Sequence, residues 1–186
     1  MEQIYDNIVV SGLRGKLGKQ LIIKRGRHGQ TTVVSRPQYP PNRQFSEAQK
    51  QHQLDFRQAA KYGMASQALE AYIKRAEGTR MTPYNAAMSD WFNPPEIREI
   101  DLDGWTGQIG KVIRILAVDD VQVKQVTVMI TDVSGTVLEQ GPATSLDGLW
   151  WEYTTTATGT GSLKVTASAQ DLPGHVTQFT KLTTKT

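Results

Sequence analysis

Residues 111–139, KVIRILAVDDVQVKQVTVMITDVSGTVLE, decide the fold class. Apolar and β-branched side chains alternate with polar ones over 111–118 and again over 123–131, the period of strands that bury one face. Asp132-Val133-Ser134-Gly135 is a turn, and a third run follows at 136–139. The same texture continues through 149–155, 162–169 and 176–182, with Asp171-Leu172-Pro173-Gly174 as another turn. Strands this short and this regularly spaced predict a β-sandwich over 96–186. Trp151 alternates with Leu149 and Tyr153 and is the expected core aromatic.

Toward the N-terminus the period becomes helical. Ser46 with Gln49 makes a capping box, and the helix behind it lines up Ala48, His52, Phe56, Ala59, Ala60 and Gly63. A second helix starting near Ser66 shows Leu69, Tyr72, Ile73 and Ala76 on one stripe, and Gly78 stops it. A third has Thr82 as N-cap and Pro83 at its first position, then Tyr84, Ala87, Met88 and Trp91. Asn93-Pro94-Pro95 ends it. Residues 45–95 therefore read as a three-helix region.

Residues 1–44 differ again. Gly12, Gly15 and Gly18 recur every third position with Arg14, Lys16 and Lys19 between them. Two β-prone runs, 20–24 and 31–35, flank Arg25-Gly26-Arg27-His28-Gly29, which predicts a β-hairpin with a basic tip. Pro37-Gln38-Tyr39-Pro40-Pro41 reads as an extended linker. The class expected is α+β: a basic hairpin segment over 1–44, helices over 45–95, and an immunoglobulin-like sandwich over 96–186.

Charge divides along the same lines. Residues 14–43 hold eight basic side chains and no Asp or Glu. Residues 1–100 carry 15 basic and 9 acidic groups, net +6, and residues 101–186 carry 6 and 9, net −3. Such a dipole steers a polyanion to one end, or docks one copy's front on another's rear. No run approaches the roughly 18 apolar residues of a membrane span. The N-terminal apolar run is too short for a secretory signal, so a cytoplasmic protein, or one exported without a cleaved leader as part of an assembly, is expected. Zero cysteines exclude disulfides and thiolate chemistry.

The stretches AVDDVQVKQVTVMITDVSGTVLEQGPA (117–143), WWEYT (150–154) and LKVTASAQDLPG (163–174) resemble the immunoglobulin-like or fibronectin-III-like modules common in bacterial surface and phage proteins. The front, SGLRGKLGKQLIIKRGRHGQTTVVSRPQ (11–38) with FSEAQ (45–49), resembles the opening of uncharacterised bacterial proteins with a Gly/Lys-rich hairpin, a Ser-Glu-Ala-Gln helix start and a C-terminal sandwich. The resemblance implies this layout and no particular activity.

The chemistry on offer is thin. Gly12 to Gly18 invites a phosphate-loop reading but fails it: five residues separate the glycines, and Gln20 stands where a Ser or Thr hydroxyl belongs. His28, His52 and His175 lie in three different sections without paired spacing, which argues against zinc. His52 reads as a packed side chain and His28 as solvated. Asp119, Asp120 and Asp171 sit at turns that can meet at one end of the sandwich, a Ca²⁺ reading to set beside ordinary turn caps. Lys16, Lys19, Lys24, Arg25, Arg27 and Arg36 make the basic partner-binding candidate. No aromatic lies between Gly12 and Gln38 to stack bases, which weighs against single-strand binding.

These features point to a non-enzymatic subunit of a filament or particle, without cofactor, whose partners are copies of itself or other subunits. Nucleic-acid binding through the basic hairpin is the alternative. A carbohydrate- or surface-binding module using exposed Trp105, Trp150 or Tyr153 is the third reading.

Overall fold

Thr31 to Ser35 and Leu21 to Arg25, rich in β-branched side chains, pair as the expected antiparallel hairpin, with Ile22 opposite Val34 and Arg25 opposite Thr31. In the computed structural model, which describes residues 2–4, 12–26 and 31–183, this hairpin is the centre of a larger sheet. Its strands are β1 (Glu2–Ile4), β2 (Gly15–Leu17), β3 (Leu21–Arg25) and β4 (Thr31–Ser35), in the order β1-β4-β3-β2. β1 and β2 were not expected. β2 is three residues long and begins on Gly15, whose φ of 114° is open only to glycine at little cost. The glycine-rich segment thus leads into a strand rather than a helix N-terminus, and the phosphate-loop geometry is absent there.

The Pro-rich stretch 37–41 belongs to no helix or strand. The chain turns at Pro40, whose carbonyl accepts the Arg43 N–H at 3.2 Å. The Arg43 guanidinium then lies 4.7 Å from the Tyr39 ring centre and 5.1 Å from that of Phe45. Residues Met1–Ala48 form one compact unit and Gln49–Thr186 another, so the helices and the later strands belong together.

Three helices open the second unit: α1 (Glu47–Ser66), α2 (Glu70–Ala76) and α3 (Pro83–Phe92). Thr82 caps α3 by accepting the Asn85 N–H at 3.2 Å, and Gly78 (φ 67°) lies just past α2. The long stripe expected on α1 is buried only at Ala59 and Gly63; Phe56 is exposed, and His52 stacks on Phe92 at 6.2 Å. Gly63 is where α1 crosses α3, since a Cβ there would stand 3.0 Å from Met88 and 3.1 Å from Tyr84. Tyr72, Ala86 and Ala87 form the buried centre of this layer, with Tyr62, Met81, Val121 and Leu172 against it. Val121 and Leu172 come from strand connections, so the helices sit on one end of the strand layer. No helix among the described residues is long and apolar enough to cross a membrane.

The remaining strands are β5 (Glu96–Asp101), β6 (Val112–Val118), β7 (Val123–Asp132), β8 (Val137–Pro142), β9 (Thr144–Ser145), β10 (Trp150–Thr154), β11 (Leu163–Asp171) and β12 (Val176–Leu182). They form two four-stranded sheets, β5-β6-β10-β9 and β12-β11-β7-β8. Read as strands A to G, these are A-B-E-D against G-F-C-C′, the immunoglobulin-type sandwich. Ile113, Ile115, Val126, Val128, Ile130, Trp151, Leu163 and Val165 fill the space between them. Trp151 is 7% exposed, as its alternation required.

Close approach fixes one corner. Gly107 has φ 110°, and a Cβ there would fall 2.2 Å from the carbonyl oxygen of Gly159. The Gly159 N–H donates to the Gly107 carbonyl at 2.9 Å. Gly107→Ala must distort this contact and adopt a disfavoured φ, a loss of roughly 2–3 kcal/mol by denaturant melting. Gly148→Ala, equally left-handed (φ 85°) but in open space, isolates the backbone part of that loss and costs less.

Candidate functional site

Pairing in the first sheet sorts its basic side chains. Lys16 is opposite Ile22 and Lys24 is opposite Thr32, so both share a face with Ile22 and Val34. Arg25 lies on the other face with Ile23, Val33 and Leu17. Lys19 is in the β2–β3 turn, and the Arg36 N–H donates to the Gln20 carbonyl at 2.6 Å, which puts both at the end away from the hairpin tip. Among the described residues, Lys24 and Arg25 therefore stand at the tip end of the hairpin and Lys19 and Arg36 at the opposite end. Arg27 and His28 lie outside the described residues. Ile23 and Thr31 are buried in this unit, whereas Leu13, Leu17 and Leu21 are 47%, 55% and 39% exposed.

A second constellation forms where α3 meets the β6–β7 connection. Asp90 on α3 and Asp119 and Asp120 in the connection place carboxylate oxygens within 4.8 Å of one another. Asp90 is fully buried, and its Oδ2 accepts the Tyr72 O–H at 2.5 Å. The Tyr72 and Tyr62 hydroxyls are 2.7 Å apart. Asp119 Oδ2 accepts the Gln122 N–H at 3.0 Å. Asp120 Oδ2 accepts from Ser89 Oγ and Asn93 Nδ2, both at 3.4 Å. The Oδ1 atom of each of the three is buried and has no hydrogen-bond partner.

Burial, reinforced by the charges of Asp119 and Asp120, pushes the Asp90 carboxyl up to about 8. Burial also raises Asp119, with Asp120 and Asp171 adding to the effect, and it raises the Tyr72 hydroxyl beside Asp90.

Asp171 lies at the same end of the sandwich, near enough to Asp119 to raise its carboxyl, but it is not among the three whose oxygens converge within 4.8 Å, which corrects the triplet expected from sequence. It is fully buried, but its oxygens are all used. Oδ1 accepts the Gly174 and His175 N–H groups at 2.7 and 2.6 Å, and Oδ2 lies 2.9 Å from His175 Nδ1. It closes its own turn, and Asp90 takes its place in the cluster. Asp90 follows Ala86 by four and Ala87 by three, so a charge stands on the helix's buried stripe. That was the legible signal, and the sequence reading passed over it.

The stacking platform is also corrected. Trp105 is buried, with its Nε1–H donating to the Gln108 carbonyl at 3.0 Å. Tyr153 is buried too, with its hydroxyl donating to Glu139 at 3.1 Å. Trp150 is half-buried, so these three offer no exposed row of rings to a sugar.

No family model matches the chain, and no curated protein matches it. Among solved structures, CopC from Methylosinus trichosporium OB3b is similar at 13% identity and a TM-score of 0.38, over 47% of this chain and 89% of its own. An engineered protein solved at 1.98 Å is similar at 18% identity and a TM-score of 0.35; the match covers 57% of this chain and 27% of that one. Likeness this slight bears on no site and no partner.

Proposed function

We propose that this protein is a non-enzymatic interaction subunit of a multi-copy assembly, a filament or particle of the bacterial or phage-like kind. Copies join front to rear through the N-terminal sheet. The observation that carries this reading is the exposure of Leu17 and Leu21 on the sheet, and of Leu13 just before it, where among the described residues only Ile23 and Thr31 are buried. A sheet gains stability by covering such a face. The occupant is a second copy, because the charges complement. Residues 1–48 carry 8 basic and 3 acidic groups, net +5, against 13 and 15, net −2, over 49–186. The receiving surface is the β12 edge of the sandwich, where Val176, Phe179 and Leu182 are exposed. Beside it the outer face of β7, β11 and β12 holds an open groove of about 410 Å³ lined by Met129, Thr166 and Leu182 among others. Asp171 and His175 close a turn and His52 packs on Phe92, structural roles that fit a non-enzymatic reading.

Such a front-to-rear contact is heterologous and builds rings or open filaments rather than two-fold dimers. Light scattering on the full chain shows species larger than a dimer at low salt. Removal of residues 1–36 yields a folded monomer. Leu17→Asp with Leu21→Asp on the sheet, or Val176→Lys with Leu182→Lys on the receiving edge, each abolishes assembly without unfolding the chain. Lys24→Glu with Arg25→Glu weakens it. A full-length chain that stays monomeric at high concentration overturns the proposal. If that monomer shifts only when DNA or RNA is added, the basic residues serve a nucleic acid instead.

A further inference from the structure

Asp90, Asp119 and Asp120 come from two elements, and each has one hydrogen-bonded carboxylate oxygen and one buried oxygen without a partner. We propose that these three carboxylates bind a hard divalent cation, calcium by preference, which fastens α3 to the β6–β7 end of the sandwich.

The hydrogen bonds divide the six oxygens evenly. Every Oδ2 is spoken for, by Tyr72, by the Gln122 N–H, and by Ser89 with Asn93. Every Oδ1 is buried with no hydrogen-bond donor. Buried acceptors are satisfied in nearly all proteins, so orphan oxygens on three converging carboxylates call for a shared partner. The partner must be positive, because three carboxylates repel one another and Asp90 is fully out of solvent. The donors are oxygens alone, with no histidine among the three, which selects hard cations over zinc or copper. Calcium–oxygen bonds of about 2.4 Å make a shell about 4.8 Å across. Ligand oxygens within 4.8 Å of one another fit inside it. Water completes the six to eight ligands that calcium takes.

A proton held between Asp90 and Asp120 is the competing occupant, since the two carboxyls are close enough to share one. The two answers differ in a melt. Full-length protein is stripped with a chelator and melted in CaCl₂, in MgCl₂ and in NaCl of matched ionic strength. The cation reading requires a saturable rise in midpoint with calcium, larger than with magnesium and absent with sodium. TbCl₃ gives a second readout, because Tyr72, hydrogen-bonded to Asp90, stands where it can sensitise its luminescence, and calcium must displace it.

Asp120→Asn is expected to weaken calcium affinity by about tenfold or more. Asp103→Asn, an exposed carboxylate outside the cluster, leaves affinity unchanged. Asp90→Asn leaves the metal-free midpoint near that of wild type, yet loses the calcium increment. A purely structural aspartate would lose stability in both conditions. No calcium-dependent shift and no terbium signal above that of Asp120→Asn overturns the proposal in favour of the shared proton, and so does an equal calcium response in wild type and Asp90→Asn.

Discussion

Trp151→Ala will cost about 3–5 kcal/mol of stability, measured by denaturant melting. The indole is 7% exposed and stands opposite Ile115 in the sheet, among Ile113, Val128 and Val165. Truncation leaves a cavity that two packed sheets cannot close without breaking their ladders. The neighbouring half-buried Trp150 points to the other face, and Trp150→Ala costs under about 1.5 kcal/mol. Trp151→Phe is the informative intermediate. The Trp151 Nε1–H is buried without an acceptor, so phenylalanine removes an orphan donor along with the volume. Its loss is expected at about 1–2 kcal/mol. Small and equal losses at 150 and 151 would place the core elsewhere.

Asp171→Ala should be comparably damaging, at about 3–5 kcal/mol, because it strips one member from a buried hydrogen-bonded group. The Gly174 and His175 N–H groups and the His175 ring all lose their acceptor at once. The turn they close carries Leu172, which packs on the helical layer, and His175, whose ring meets Trp91 edge-on at 5.1 Å. Asp171→Asn keeps an oxygen for the two N–H groups and should recover about half of the loss. The order wild type, Asn, Ala in melting midpoint is the expected result. A loss below about 1 kcal/mol for both would show that the turn holds without its carboxylate.

The sandwich was legible because its strands alternate, and alternation survives wherever one face is buried. It failed for β5, Glu-Ile-Arg-Glu-Ile-Asp, where the pairing register shifts between Ile97 and Glu99. That irregularity puts Ile97 and Ile100, both buried, three apart instead of two, which erases the period. β2 was hidden by its glycine, and β1 by its brevity. Trp105 looked like a loop aromatic because nothing local says that residues 102–110 fold its ring inward. In the acidic cluster, Asp119 and Asp120 were visible as a pair, but their third member is about thirty residues earlier on a helix. The stripe read for α3, Tyr84, Ala87, Met88 and Trp91, runs along the flank of the face that is buried. Only packing against the strand layer brings Asp90 to the other two.

The buried apolar side chains of the helical layer are one tyrosine and four alanines, Tyr72 with Ala59, Ala76, Ala86 and Ala87, and Val121 and Leu172 pack on them from the strand connections. That composition sets an order of opening. So little apolar side chain cannot hold three helices together in isolation. The amides of α2 and α3 therefore exchange with deuterium through partial openings that leave the strands intact. Those of β7 and β11, at the centre of their sheet, exchange only when everything unfolds. Slow-exchanging protons mark the strands as the platform and the helices as its dependent, and whatever loosens the platform releases the helices as well.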